Sequence, residues 1–209
     1  MQGCAGVERS QLKPDTLRSV SIAEIWAAHY GDLVAAGHLL RSALPHRWLR
    51  IHSLPDSKRY ADNAQEYAEL LRRHNEVALE ILGSNEETIL LVYAWGTNED
   101  FASAFTGFGW AREAGLGEAK PFCCARSADE DVDILVGGCS IHWSAGAWDT
   151  LLRDIADDRS SSVVLLNPGS GEVYAPYDGG ADIFVGTPQR VADLRQRWQS
   201  WLSTHPTGL

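Results

Sequence analysis

The sequence predicts an α+β fold: a mainly antiparallel sheet of about 5–7 strands with helices packed on one face. Three observations carry it. Residues 67–81 hold an apolar stripe at three- and four-residue steps, as on an amphipathic helix. Residues 88–95 (TILLVYAW) form a continuous β-branched and aromatic run, as in a strand buried on both faces. Downstream, short apolar segments alternate with turn residues, so hairpins outnumber crossovers.

Taken in order, residues 1–14 are polar and glycine-containing and read as a disordered terminus; 15–209 read as one α+β domain, with no internal repeat or biased linker. SIAE at 21–24 has the capping-box pattern and opens a helix to about Leu44, with Trp26, His29, Leu33 and Leu40 on one side. Gly31 and Gly37 each weaken it by roughly 1 kcal/mol relative to alanine, which leaves one helix or two open. Pro45 ends it. Trp48, Leu49, Ile51 and Leu54 then flank Arg50, His52 and Ser53 in the alternation of a half-buried strand, which Pro55 stops.

Asp62 or Asn63 caps the next helix, with Gln65 and Glu66 in capping-box positions. Its stripe is Tyr67, Leu70, Leu71, Val77, Ala78 and Ile81, and Gly83 closes it. Glu69 and Arg73 stand four apart in the favourable order, worth about 0.3–0.5 kcal/mol. Residues 96–117 read as a packed irregular loop or short helix, whose Phe101, Phe105, Phe108 and Trp110 cover the core or form a binding surface. Residues 120–126 and 132–143 read as strands joined by an acidic turn at 127–131, with a bulge or bend at Gly137–Gly138. A short helix carrying Trp148, Leu151, Leu152 and Ile155 follows. The hairpin 161–166/172–177 turns at NPGSG, a short strand spans 181–185, and a last helix starts on Thr187 and Pro188.

Composition excludes more than it selects. With 28 acidic and 18 basic residues the net charge is −10, which argues against nonspecific nucleic-acid binding. No apolar run reaches the length of about 18 residues that spans a membrane, so a soluble, cytoplasmic protein is expected. Cys4, Cys123, Cys124 and Cys139 lack the spacing of a zinc site; no metal and no cofactor is expected. Some of the eight tryptophans should be half-exposed. No GxSxG, P-loop, GxGxxG after a strand, or HExxH occurs. His52 and Ser53, adjacent on a strand, face opposite ways, so with Asp56 they are not a triad.

Two polar stretches remain. Arg50, His52, Lys58, Arg59, Tyr60, Arg72, Arg73 and His74 crowd cations into an acidic protein. They read either as solvated charges with His74 a core-edge histidine, or as an anion or partner site. Asp178-Gly-Gly-Ala-Asp182 reads as a tight turn with one exposed acid and one paired to a base, or as a metal or acid/base pair.

The pattern R-x-H-S-L-P-x-x-K-R-Y at 50–60, preceding E-Y…L-x-R-H-N at 66–75, resembles a bacterial domain family of unknown function. The likeness covers 47–83 closely and the carboxy-terminal third loosely, not 96–117. It implies that Arg50, His52, Ser53, Lys58, Arg59, Tyr60, Arg72, His74 and Asn75 are the positions to test. The functional expectation is a non-enzymatic binding protein, concretely an immunity-type inhibitor whose partner is a basic toxin. The alternative is an enzyme or small-anion binder: Arg50, Lys58 and Arg59 hold the anion, His52 or His74 acts as acid or base, and Asp178 or Asp182 orients it. A plain scaffold is the third reading.

Overall fold

The computed structural model describes residues 21–126, 133–160 and 162–203. The expected disorder of 1–14 and the acidic turn at 127–131 lie outside them. The strands are β1 (Trp48–His52), β2 (Glu86–Trp95), β3 (Cys123–Arg126), β4 (Asp133–Trp143), β5 (Val163–Leu166), β6 (Val173–Tyr177) and β7 (Gly180–Phe184). They form one antiparallel sheet in the order β1-β7-β6-β5-β2-β4-β3, within the range expected.

The main helical layer lies on one face, as the α+β reading requires. There α3 (Ala64–Leu82), α6 (Asp149–Ala156) and α7 (Pro188–Arg197) bring Leu70, Val77, Ile81, Leu151, Ile155 and Leu194 onto Leu90, Val92, Leu165 and Ile183. The next residue along each strand points the other way. Ile89, Leu91, Val164, Val173 and Phe184 are apolar too, and α1 (Ile22–Tyr30) and α2 (Gly37–Ala43) cover them with Trp26, Tyr30 and Leu40. The amino-terminal pair thus adds a second cover. It is two helices, divided at Gly31, whose φ of +59° suits a residue without Cβ.

Local signals account for most boundaries. Ser21 and Glu24 close a capping box on α1, and Asn63 caps α3 by accepting from the Gln65 and Glu66 amides. The 96–117 stretch supplies α4 (Asn98–Ala104) and α5 (Gly109–Glu113); Phe101, Phe105 and Trp110 are buried, so it is a core cover. The bulge expected at Gly137–Gly138 is absent. The β2–β4 register runs unbroken from Glu86↔Trp143 to Trp95↔Ile134. Those glycines make room instead: a Cβ at 137 would lie 2.7 Å from the Phe101 ring, and one at 138 would lie 2.4 Å from the Leu90 carbonyl oxygen.

Gly180 is tighter still. A Cβ there would lie 1.9 Å from the Ile51 carbonyl oxygen, inside the β1–β7 ladder. Gly180→Ala is therefore expected to cost about 3 kcal/mol as the edge strand is pushed away, read as a lowered urea midpoint.

Candidate functional site

The unit that carries the signature residues is β1, the turn after it and α3. In the β1–β7 ladder Arg50 stands opposite Asp182, close enough for a forked pair: Nε donates to Oδ1 at 2.8 Å and Nη2 to Oδ2 at 2.9 Å. The indole N–H of Trp48 donates to the same Oδ1 at 2.8 Å. This pair lies on the face covered by α1 and α2.

Ser53 continues the alternation onto the opposite face. Its Oγ lies 2.7 Å from Nε2 of His74, and Nδ1 of His74 lies 2.5 Å from the Tyr174 hydroxyl. The chain is sealed: Ser53 is 0% exposed, His74 2% and Tyr174 0%. Burial, reinforced by the Arg73 guanidinium, pushes His74 down to about 4, so the ring is neutral at pH 7. A neutral imidazole donates at one nitrogen and accepts at the other, and the two hydroxyls match both roles. A serine with no exposure meets no substrate, so the trio is a lock between β1, α3 and β6 rather than a nucleophile and its base.

The cations of the stretch are each held by an acid of the same chain. Lys58 Nζ donates to Asp62 at 2.7 Å and to Glu66 at 2.6 Å. Arg59 and the Tyr60 hydroxyl both donate to Asp178. Arg72 and Arg73 share Glu69, whose carboxyl the Arg72 fork holds down to about 2 despite partial burial, with Arg73 adding to the effect. Asn75 ties α3 to the approach of α6: its Nδ2 donates to Asp149 and its Oδ1 accepts from the Gly146 amide. Both acids of the 178–182 loop are buried and paired, which corrects the expectation that one is exposed.

The proposed anion ligands therefore do not converge. Arg50 and Asp182 lie on one face of the sheet, His74 and Ser53 are sealed on the other, and Lys58 and Arg59 belong to separate ion pairs. What the turn does frame is a hollow of about 330 Å³, lined by His52, Leu54, Asp56, Ser57, Ser200, Trp201 and Leu202. Two consecutive non-glycine residues on its rim, Asp56 and Ser57, have φ of +55° and +57°. Such backbone costs of order 1–3 kcal/mol per residue and persists only where its surroundings enforce it.

His52 closes the hollow from the strand end. Burial, with the Arg50 and Arg73 guanidiniums adding to it, keeps its ring below the usual histidine range. Its Nε2 is sealed and has no hydrogen-bond partner. Across from it Trp201 lies beneath the Arg72 and Arg73 guanidiniums, at 5.2 and 5.3 Å from the ring centre. No local pattern in the sequence marked Trp201 for this role. Nothing local marked Asp56 and Ser57 as strained.

A family model described as a domain of unknown function (DUF3885) matches residues 36–206, and the chain belongs to that family. No curated protein and no solved structure matches the chain. Among the described residues no helix is long and apolar enough to cross a membrane, and no group of three or more His, Cys, Asp or Glu side chains could hold a metal.

The buried trio sets a pH dependence. Folded His74 binds a proton less readily than in the unfolded chain, where its value is near 6.5. Its contribution is thus complete above about pH 6.5 and is lost as pH falls toward 4, by about 3 kcal/mol. Urea unfolding between pH 7.5 and 4 should show this slope, and His74→Gln should flatten it. Ser53→Ala, which leaves a buried ring nitrogen unpaired, is expected to cost about 1–3 kcal/mol at neutral pH in the same assay.

Proposed function

We propose that this is a non-enzymatic binding protein that recognises a basic protein partner at the hollow beside the 52–60 turn. Its most concrete form is an immunity-type inhibitor of a bacterial toxin acting in the cytoplasm. The observation that carries the reading is the hollow's polar lining. Asp56 contributes a carboxylate, and Ser57 and Ser200 contribute hydroxyls that can accept. A lysine or arginine side chain of the partner meets acceptors there.

The surroundings support the same reading. Tyr60 is 46% exposed, and Arg59, Arg72 and Trp201 lie around the turn and its hollow. Tyrosine, tryptophan and arginine are the residues that carry most interface energy, and here their ion pairs and ring contacts fix them in advance. The net charge of −10 favours encounter with a basic surface. Two of the eight tryptophans, Trp95 and Trp201, are more than marginally accessible, so aromatic contact is confined to few points.

The test is affinity capture by the immobilised protein beside its Asp56→Asn variant, followed by growth assays of the captured protein with and without this chain. The expected result is a basic protein held at one-to-one ratio. The variant should retain it at least about tenfold less well, raised salt should weaken it, and this chain should relieve its toxicity. A partner indifferent to Asp56 and to salt, or no stoichiometric partner at all, overturns the proposal.

A further inference from the structure

A second cleft, sharing no residue with the hollow, opens on the α2 face of the sheet. Its origin is Pro176. Proline has no backbone N–H to give a neighbouring strand. The β5–β6 ladder accordingly holds only the pairs Leu165↔Tyr174 and Leu166↔Val173, although β5 begins at Val163. The gap left between the strands is a cleft of about 220 Å³, bordered by Val163, Ala175 and Pro176. Gly37 of α2 sits over it because a Cβ there would lie 3.2 Å from that of Ala175.

The polar groups around the gap are Arg50, Asp182, His38, Tyr93 and Tyr177. Asp182 is spent: it accepts from Trp48 and twice from Arg50. Arg50 is only half spent. Of the five N–H donors of a guanidinium, two point at Asp182, and Nη1 has no hydrogen-bond partner among the described residues. The end-on edge of the fork is thus free while its side edge is fixed. The Tyr177 ring lies under the guanidinium at 4.5 Å, and neither its hydroxyl nor the His38 ring has a hydrogen-bond partner among the described residues. Arg41 stands over the Trp48 ring at 5.9 Å with no carboxylate partner among the described residues.

We infer that this cleft binds a small organic carboxylate, held end-on by Arg50 with the Tyr177 hydroxyl and His38 as further donors. The guanidinium edge, the Tyr177 hydroxyl and one His38 ring nitrogen can donate, and the planar guanidinium edge matches a carboxylate in two parallel hydrogen bonds. Because Asp182 neutralises Arg50, the attraction comes from the fork and from Arg41 together. The volume equals roughly seven waters at about 30 Å³ each, which limits the ligand to a short chain or a single ring.

Titration calorimetry of the whole chain tests this with acetate and benzoate as probes, benzamide as the neutral isostere and inorganic phosphate as the tetrahedral anion. Benzoate is expected to bind and benzamide not. Tyr177→Phe and His38→Ala should each weaken benzoate about tenfold; the first removes no hydrogen bond among the described residues, and the second removes the ring contacts of His38 with Tyr93 and Trp95. The inference is overturned if neither carboxylate binds at millimolar concentration, if benzamide binds as well as benzoate, or if phosphate binds in their place. It is also overturned if both variants bind benzoate like the parent. Because the hollow contains none of these residues, either result leaves the protein-partner reading to stand or fall by its own experiment.

Discussion

The pairing of β1 with β7 is the constraint on which the rest of this structure depends. An edge strand has one neighbour, and β1 holds its neighbour through a register that sets Arg50 against Asp182. A largely buried ion pair contributes little net stability, because desolvation cancels much of the attraction. Its value is in alignment. A slip of one residue would set Arg50 against an apolar position, leave two buried charges unmatched and turn Leu49 and Ile51 out of the core. The third donor, Trp48, completes the coordination of the carboxylate. Both the turn that frames the hollow and the cation that borders the cleft are placed by this one register.

From that register follows a division of the signature residues between two faces. Arg50 goes to the α2 side and Ser53 to the α3 side, where it meets His74 and Tyr174. The neutral buried imidazole then works as a hydrogen-bonded spacer between strand and helix. Its two hydroxyl partners satisfy both nitrogens, and an apolar residue in its place would leave both buried hydroxyls unpaired. A polar spacer specifies one arrangement because only one rotation of the ring reaches both hydroxyls.

The positive stretch in an acidic protein has a similar explanation. Lys58, Arg59, Arg72 and Arg73 are matched by Asp62, Glu66, Asp178 and Glu69, so much of the charge is consumed in fixing the turn and the first turns of α3. Exposed pairs of this kind are worth little individually. Together they hold Asp56 and Ser57 beside a sealed, unpartnered His52 nitrogen. Two strained residues, a buried ring nitrogen without a partner and a hollow thus meet at one place.

Most of the secondary structure was legible locally. Periodicity gave α3 and α6, the Ser21 and Asn63 caps and the Thr187-Pro188 start gave helix beginnings, and continuous apolar runs gave β2 and β5. These signals depend on residues a few positions apart, which is why one sequence displays them. The glycines at 137 and 138 were misread as a bulge because their reason, the Phe101 ring and the Leu90 backbone, lies in other parts of the chain. The same holds for the functional candidates. The sequence by itself determined which residues are polar in a strand–turn–helix unit, and hence which positions to examine. Only the tertiary structure decided that Arg50, Lys58, Arg59, Arg72 and Arg73 each have an acid, that His74 is sealed, and that Pro176 opens a gap beside Arg50. Side-chain pairing across the sheet is set by strand order and register, and neither is written in local spacing.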